Sequence, residues 1–361
     1  MERDRMGVSV VVCCYNSAGR LPETLRHLAR QRVAASTGWE VIIVDNNSSD
    51  DTGAVARQCW QQYHAQVPLA LVHEPVPGLS NARLKGFEAA RYGFVLFCDD
   101  DNWLAEDYVQ RACEIMIARP DVGALGGWAE AVAETALPAW FQTYYGIYAI
   151  GRQAPDSGPV AHLYGAGIVI RKSHWDLLRQ AGYQPRLAGR TGKKMTSGED
   201  TELCLTLRLA DCTLWFDKQL RLRHFIPKER LTWKHVRKFF LGSARTTNLV
   251  KPLVMVLEEN ITARAQVKDY LPVRDAVYFF RTSGLQFLGQ YLLGRVVKKY
   301  RWSEGRKLEI QYELALASRR LLHAGEWYAN LEYILELKKN LASIRQENRP
   351  PIQALTHNEI R

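Results

Sequence analysis

Zinc and redox signatures are missing from this chain. Its seven cysteines are odd in number and form no CxxC pair, and Cys13 and Cys14 sit side by side in an apolar run. Such usage suits buried thiols in a reducing compartment. A secretory leader is not expected either: MERDRMGVSVVVCCYN passes from charges straight into a predicted first strand, with no apolar stretch ending in small residues. The expected location is therefore cytoplasmic. No internal repeat or low-complexity tract is visible, and no clean membrane-spanning run exists. The nearest approach, residues 276–297, is interrupted by Arg281, Gln286 and Gln290. It reads as a buried helical hairpin or as a surface dipping into a bilayer interface, with interior packing the stronger reading.

What is present is a globular composition with unevenly placed charge. Residues 1–220 carry 22 basic and 25 acidic side chains, whereas residues 221–361 carry 26 and 13, so the whole positive excess lies in the second part. A basic region of this kind suits a solvated helical face or an anionic partner such as phosphate groups, nucleic acid or a membrane surface. A nucleic-acid-binding protein would account for that region but leaves the acidic clusters of the first part unexplained.

Those clusters lie in an alternating strand and helix pattern. Residues 8–14, 39–44, 69–73 and 94–98 are short apolar runs, with helices predicted after 21, over 81–91 and from 106 to about 119. Further strands are predicted at 122–128, 166–171, 213–216 and 220–225, and a helix over 201–210. Buried strands alternating with helices predict a parallel sheet covered on both faces, with ligands beyond the carboxyl ends of the strands. That rule points to Tyr15, Asn16, Asp45 and the run Asp99-Asp100-Asp101-Asn102. From about 234 the pattern is helical. The expected division is thus a catalytic domain at 1–233 and a helical, basic region at 234–361 that rests against it, a partner or a membrane.

Asp99 and Asp101 share one side of an extended chain while Asp100 faces away. Two carboxylates together call for a counter-cation, and a hard ion such as Mg or Mn suits oxygen ligands and can bridge a diphosphate. Ser197-Gly198-Glu199-Asp200-Thr201-Glu202-Leu203 places a second carboxylate pair at a helix start, where exposed amides hold it ionised and able to accept a proton. An acidic cap is the plain alternative for each cluster.

Taken in order, these blocks resemble the family 2 glycosyltransferases. The resemblance runs from Val8–Asn16 through Glu40–Thr52, Gly78–Arg83 and Phe97–Asn102 to Gly165-Ala166-Gly167 and Gly198–Leu203. It implies the GT-A fold, an α/β mixed sheet flanked by helices, and an inverting transferase using a nucleotide-sugar donor. It also implies roles for individual side chains. Tyr15 and Asp45 hold the base, with Asn16 and Asn47 beside them. Arg83 contacts base or phosphates, Asp99 and Asp100 serve the ribose end of the donor, and Asp101 binds Mn or Mg. Asp200 is the general base, with Glu199 next to it. His224 falls where some relatives supply a histidine to the metal or diphosphate, and a structural histidine is the equal alternative. Departures are Cys13-Cys14, where proline or threonine usually precedes Tyr-Asn, and Leu84 in place of a frequent asparagine.

Weaker expectations concern the acceptor and a lid. Trp128, Trp140, Tyr144, Tyr145 and Tyr148, with Gly165 and Gly167, lie where the resemblance places the acceptor, a saccharide or lipid-linked saccharide. Aromatic clusters are more often core. Residues 189–195, with Lys193 and Lys194, suit a lid over phosphates, with a solvated loop as the alternative. A nucleotide-sugar-binding protein without catalysis is disfavoured by the intact carboxylates. A sugar nucleotidyltransferase is disfavoured because Tyr15-Asn16-Ser17-Ala18-Gly19 is no glycine- and arginine-rich phosphate loop.

Overall fold

The computed structural model describes residues 6–187, 189, 197–267 and 303–347. Its centre is β1 (Gly7–Cys14), whose valines have no accessible surface and alternate between two cores. Val8, Val10 and Val12 face one side together with Val41, Ile43 and Leu96. Val11 faces the other with Ile42, Val44, Val95 and Phe97. A strand buried on both faces needs helices on both faces, and the sequence supplies them between strands. α1 (Leu21–Ala29) opens with a proline in its first turn and buries Leu21, Leu25 and Leu28, one helical face. It precedes β2 (Gly38–Asp45), α2 (Thr52–Gln62), β3 (Leu69–His73), α3 (Leu79–Ala89) and β4 (Phe94–Asp99).

After β4 come β5 (Asn102–Leu104), α4 (Tyr108–Ala118), β6 (Val122–Ala133), α5 (Phe141–Tyr144) and a 3-10 turn at Tyr145–Tyr148. The strands β7 (Gly158–Pro159) and β8 (Val169–Arg171), then α6 (Lys172–Gln180), α7 (Glu199–Leu209) and β9 (Thr213–Ile226) complete the sheet. Its order is β3-β2-β1-β4-β8-β6-β9-β5, with β7 beside β9. The first four strands are parallel, but β8 runs antiparallel to both β4 and β6, so the sheet is mixed. The two strands expected at 213–216 and 220–225 are one element. Its pairing with β6 slips between Gly126 and Trp128, where the Asp217 carboxylate accepts from the amides of Gln219 and Leu220 and folds the intervening residues out of register.

A helical C-terminal region follows a 3-10 turn at Lys228–Arg230: α8 (Trp233–Glu258), α9 (Glu304–Leu322) and α10 (Ala324–Glu347). α8 starts on the Thr232 hydroxyl, which accepts from the His235 amide. These helices share the apolar core of the sheet. Leu249, Leu253 and Val256 of α8 and Trp327, Leu331 and Ile334 of α10 belong to the same buried cluster as Val11 and Phe97. The buried Asn330 amide donates to the Leu249 carbonyl, tying α10 to α8. Among the described residues no helix is long and apolar enough to cross a membrane. The stretch 276–297 and the lysines Lys193 and Lys194 lie outside the described residues.

Candidate active site

Parallel register brings the ends of three strands level: Cys14 lies opposite Asp45, and Cys13 opposite Asp99. The loops leaving those ends meet above them. Asn16 bends back with a φ of 50°, and its side-chain oxygen accepts from the Ser49 amide at 2.8 Å. Asp45 accepts from the Ser48 amide at 3.0 Å. Asn16 and Asp45 therefore brace the two loops, and neither lines the cavity beside them. Tyr15 and Asn47 do line it, and Tyr15 leaves about half its surface (47%) open for packing. Asn46, which sequence reasoning passed over, is buried and makes three bonds. It donates to the carbonyls of Glu74 and Val76 and accepts from the Gly78 amide, which sets the start of α3 against the cavity.

The three aspartates at the end of β4 have different partners. Asp99 ends the strand and lines the cavity. Asp100, in the turn that follows, also borders the cavity and reaches the Arg20 guanidinium at 2.6 Å and the Ser17 hydroxyl. Burial and the neighbouring Asp101 raise its pKa, and Arg20 and Ser17 work against them. Asp101 is almost buried. Its Oδ2 lies 3.1 Å from Arg230 Nη1 and its Oδ1 3.3 Å from His224 Nε2. The reason His224 reaches it is register: β5 pairs antiparallel with β9, placing Asn102 opposite His224, and the Phe225 amide donates to the Asp101 carbonyl.

The second carboxylate pair starts α7. Gly198 precedes the helix with φ 103°, and a side chain there would run into Thr246 of α8. Asp200 is held by two amides: Thr201 donates to Oδ1 at 2.8 Å and Gly165 to Oδ2 at 3.1 Å. A Cβ on Gly165 would stand 2.8 Å from Arg83 Nη2 and 3.3 Å from Asp200 Cβ, so a side chain there would have to push the buried guanidinium aside. Arg83 is buried. That burial disfavours its charge, yet Glu199, Asp99 and Asp200 outweigh it and raise its pKa. One guanidinium thus neutralises carboxylates drawn from two segments a hundred residues apart. Burial pushes the Cys13 thiol up to about 12, which makes it a neutral wall and no nucleophile.

Around these groups lies a cavity of about 830 Å³. Its sheet side carries Tyr15, Asn47, Arg83, Asp99, Asp100 and Asp101, with Glu199, Asp200, Gly165 and His224. Its far wall is one face of α8, presenting Phe239, Ser243, Thr246, Thr247, Val250 and Val254. No motif pointed to that wall, because a helix face in a C-terminal region has no signal beyond its spacing. Arg20 and Arg230 were equally silent, since each acts on an aspartate distant in sequence.

Other expected acceptor residues lie elsewhere. Trp128 is covered on its ring by Arg152 and Arg221, at 4.3 and 4.2 Å from the centroid, and does not line the cavity. Tyr144 packs with Trp140, Trp233 and Phe240, outside the cavity, in a cluster that binds α5 to α8. Gly167 has φ 73° and lies under Tyr108, whose hydroxyl donates to its carbonyl. Tyr148 does reach the cavity wall.

Among the described residues no group of three or more His, Cys, Asp or Glu side chains is gathered for a metal ion. The closest donor set is Asp101 with His224, a carboxylate and an imidazole at the end of the sheet. The buried Nδ1 of His224 has no hydrogen-bond partner among the described residues. Carboxylate oxygen suits Mg and Mn, and a donor diphosphate has the further oxygens such an ion requires. The residues present fit a divalent ion on that condition.

Comparison with known proteins gives the same direction. Residues 9–178 match the model of Glycosyl transferase family 2. Succinoglycan biosynthesis protein ExoM of Rhizobium meliloti is 26% identical over 247 residues, which cover 67% of this chain and 75% of that protein. Putative glycosyltransferase EpsH of Bacillus subtilis is 32% identical over 110 residues, 30% of this chain and 29% of its own length. Among solved structures, the mannosyltransferase PcManGT of Pyrobaculum calidifontis, in complex with GDP-Man and Mn2+, superposes with a TM-score of 0.50. Its sequence identity is 18%, over 88% of this chain and 87% of that one, a likeness of fold. The mixed sheet flanked by helices is that of the GT-A glycosyltransferases.

Proposed function

We propose that this chain, whose residues 9–178 match the model of glycosyl transferase family 2, is a member of that family that moves a sugar from a nucleotide-diphosphate donor to a saccharide hydroxyl with inversion, in polysaccharide assembly. One observation carries the reading. Arg83, the pair Asp99 and Asp101, and Asp200 come from three separate stretches of the chain, and all line one cavity large enough for a donor and the reacting end of an acceptor.

The mechanism follows from what each group can do there. Tyr15 packs on the base, and Asn47 and the start of α3 border the nucleotide. Asp99 accepts from the ribose, and Arg83 faces the phosphates. Asp200, its two oxygens steadied by the Thr201 and Gly165 amides, takes the proton of the attacking hydroxyl. Attack opposite the departing diphosphate inverts the anomeric carbon. Asp101 and His224 would hold the Mn or Mg ion, whose charge stabilises the leaving diphosphate. Arg83 supplies further positive potential around it.

The acceptor lies against α8. Ser243, Thr246 and Thr247 offer hydroxyls for a sugar, while Phe239, Val250 and Val254 continue the wall as apolar surface. A saccharide carried on a lipid suits both halves of that wall and the basic C-terminal region, and would place the enzyme at the cytoplasmic face of a membrane. Screening nucleotide sugars for Mn-dependent hydrolysis, then adding acceptors, tests the reading. Turnover that depends on Asp200 and Asp101 supports it. Donor binding with neither hydrolysis nor transfer for any acceptor would instead mark a catalytically silent member of the fold.

A further inference from the structure

Asp101 already has a cation. Arg230 Nη1 is 3.1 Å from Asp101 Oδ2 and 3.5 Å from His224 Nε2. Asp101 and His224 are 7% and 4% exposed, and the Arg230 side chain is 13% exposed, so water screens little of this charge. The guanidinium nitrogen lies within 3.5 Å of both a carboxylate oxygen and an imidazole nitrogen, on the two side chains an ion would use. A divalent ion binds such donors at roughly 2.0–2.2 Å. An ion there would lie directly against the Arg230 guanidinium, and two positive charges in one dry site repel.

The backbone of Arg230 is fixed. Its amide donates to the Pro227 carbonyl at 2.9 Å, and its carbonyl accepts from the Tyr148 hydroxyl at 2.8 Å. Any change of partner must therefore come from the side chain, which borders the cavity in which a diphosphate would lie. An arginine leaving a carboxylate needs another anion, and phosphate oxygens match its fork as well as a carboxylate does.

We infer that Arg230 is the resident counter-charge of Asp101 in the donor-free protein, and that a divalent cation binds only by displacing it onto the donor diphosphate. This rests on the assignment of Asp101 to the metal in the proposed function. Ion and arginine compete for one carboxylate, and the diphosphate resolves the competition by giving the arginine a second partner. Two consequences follow. The chain without donor binds Mn2+ weakly, and nucleoside diphosphate and Mn2+ raise each other's affinity, a coupling that must be reciprocal.

Titration of Mn2+ into the full chain, read by loss of the free-ion electron paramagnetic resonance signal, tests this. Wild type, Arg230→Gln, Arg230→Met and Asp101→Asn are compared with and without UDP or GDP. Gln keeps polarity and Met keeps the packing on Tyr148, and melting curves show which variant is folded. The expected result is Mn2+ binding roughly tenfold tighter in the folded Arg230 variant without nucleotide, with most of the gain from nucleotide lost. Affinities equal to or weaker than wild type, with Asp101→Asn weakening every background, overturn the inference and leave Asp101 as the metal ligand. Mn2+ binding that Asp101→Asn does not change overturns both.

Discussion

At the residue scale the site is an arrangement of charges that cannot be separated cheaply. Arg83 is buried among Glu199, Asp99 and Asp200, and removing it would leave carboxylates facing one another in a poorly solvated wall. In the proposed mechanism Asp200 takes the proton of the attacking hydroxyl. Asp200→Asn keeps the size of the side chain and one acceptor oxygen but cannot take a proton. Transfer is expected to fall by about 10²–10⁴ with donor affinity close to wild type, measured by kcat beside nucleotide binding. A variant that retains wild-type kcat would move the base elsewhere. Gly165→Ala places a methyl group 2.8 Å from Arg83 Nη2. It is expected to cost about 1–3 kcal/mol by overpacking and to lower kcat by turning Arg83 and Asp200 apart, seen in denaturant unfolding and turnover together. A Gly165→Ala enzyme as stable and active as wild type would mean that the guanidinium gives way without cost.

At the element scale, loops around the cavity are held by side chains with no part in chemistry. Asn46 satisfies two carbonyls and one amide around the turn that starts α3. Asn46→Ala leaves those groups unpaired, and the expected loss is about 1–3 kcal/mol with weaker donor binding, checked by calorimetry of nucleotide against unfolding in urea. Glu202 of α7 plays the matching part for the segment that ends at Leu187, accepting from the amides of Arg186 and Leu187. Burial pushes its pKa up to about 7, the two amides pull it down, and Glu199 adds to the rise. A carboxyl whose pKa is raised on folding binds its proton more tightly in the folded chain. Its contribution is complete below the ordinary range near 4.5 and fades as pH climbs through about 7. Melting temperature is therefore expected to fall between about pH 5 and 8 more steeply in wild type than in Glu202→Gln. Parallel curves for the two proteins would remove Glu202 as the source.

At the scale of the whole molecule, the C-terminal helices are part of the same core as the sheet. Trp327 is 2% exposed and sits in one buried cluster with Leu331, Leu249 and Val11. Trp327→Ala, a change outside the cavity lining, is expected to cost about 3–5 kcal/mol in urea unfolding. It should also lower activity by loosening α8, which forms the far wall of the cavity. A small loss of stability would mean that α10 is an appendage. The core also bears on membrane tests: cutting the chain near residue 270 would remove α10 and expose that cluster, so binding of the intact chain to anionic vesicles is the sounder measurement.

The sequence by itself determined the alternation of strands and helices, the level ends of the first strands, and the carboxylates at Asp99–Asp101 and Glu199–Asp200. These are local properties: apolar periodicity, a proline at a helix start, acids where a strand ends or a helix begins. Tertiary structure decided what each acid faces. Asp100 turns to Arg20, Asp101 to Arg230 and His224, and Asp200 to the Gly165 amide, across separations no motif spans. The reversal of β8, the slip at Asp217, the cover of two arginines on Trp128 and the α8 wall were illegible for the same reason. Each depends on contacts that residue order does not state, and a sequence lists neighbours along the backbone only.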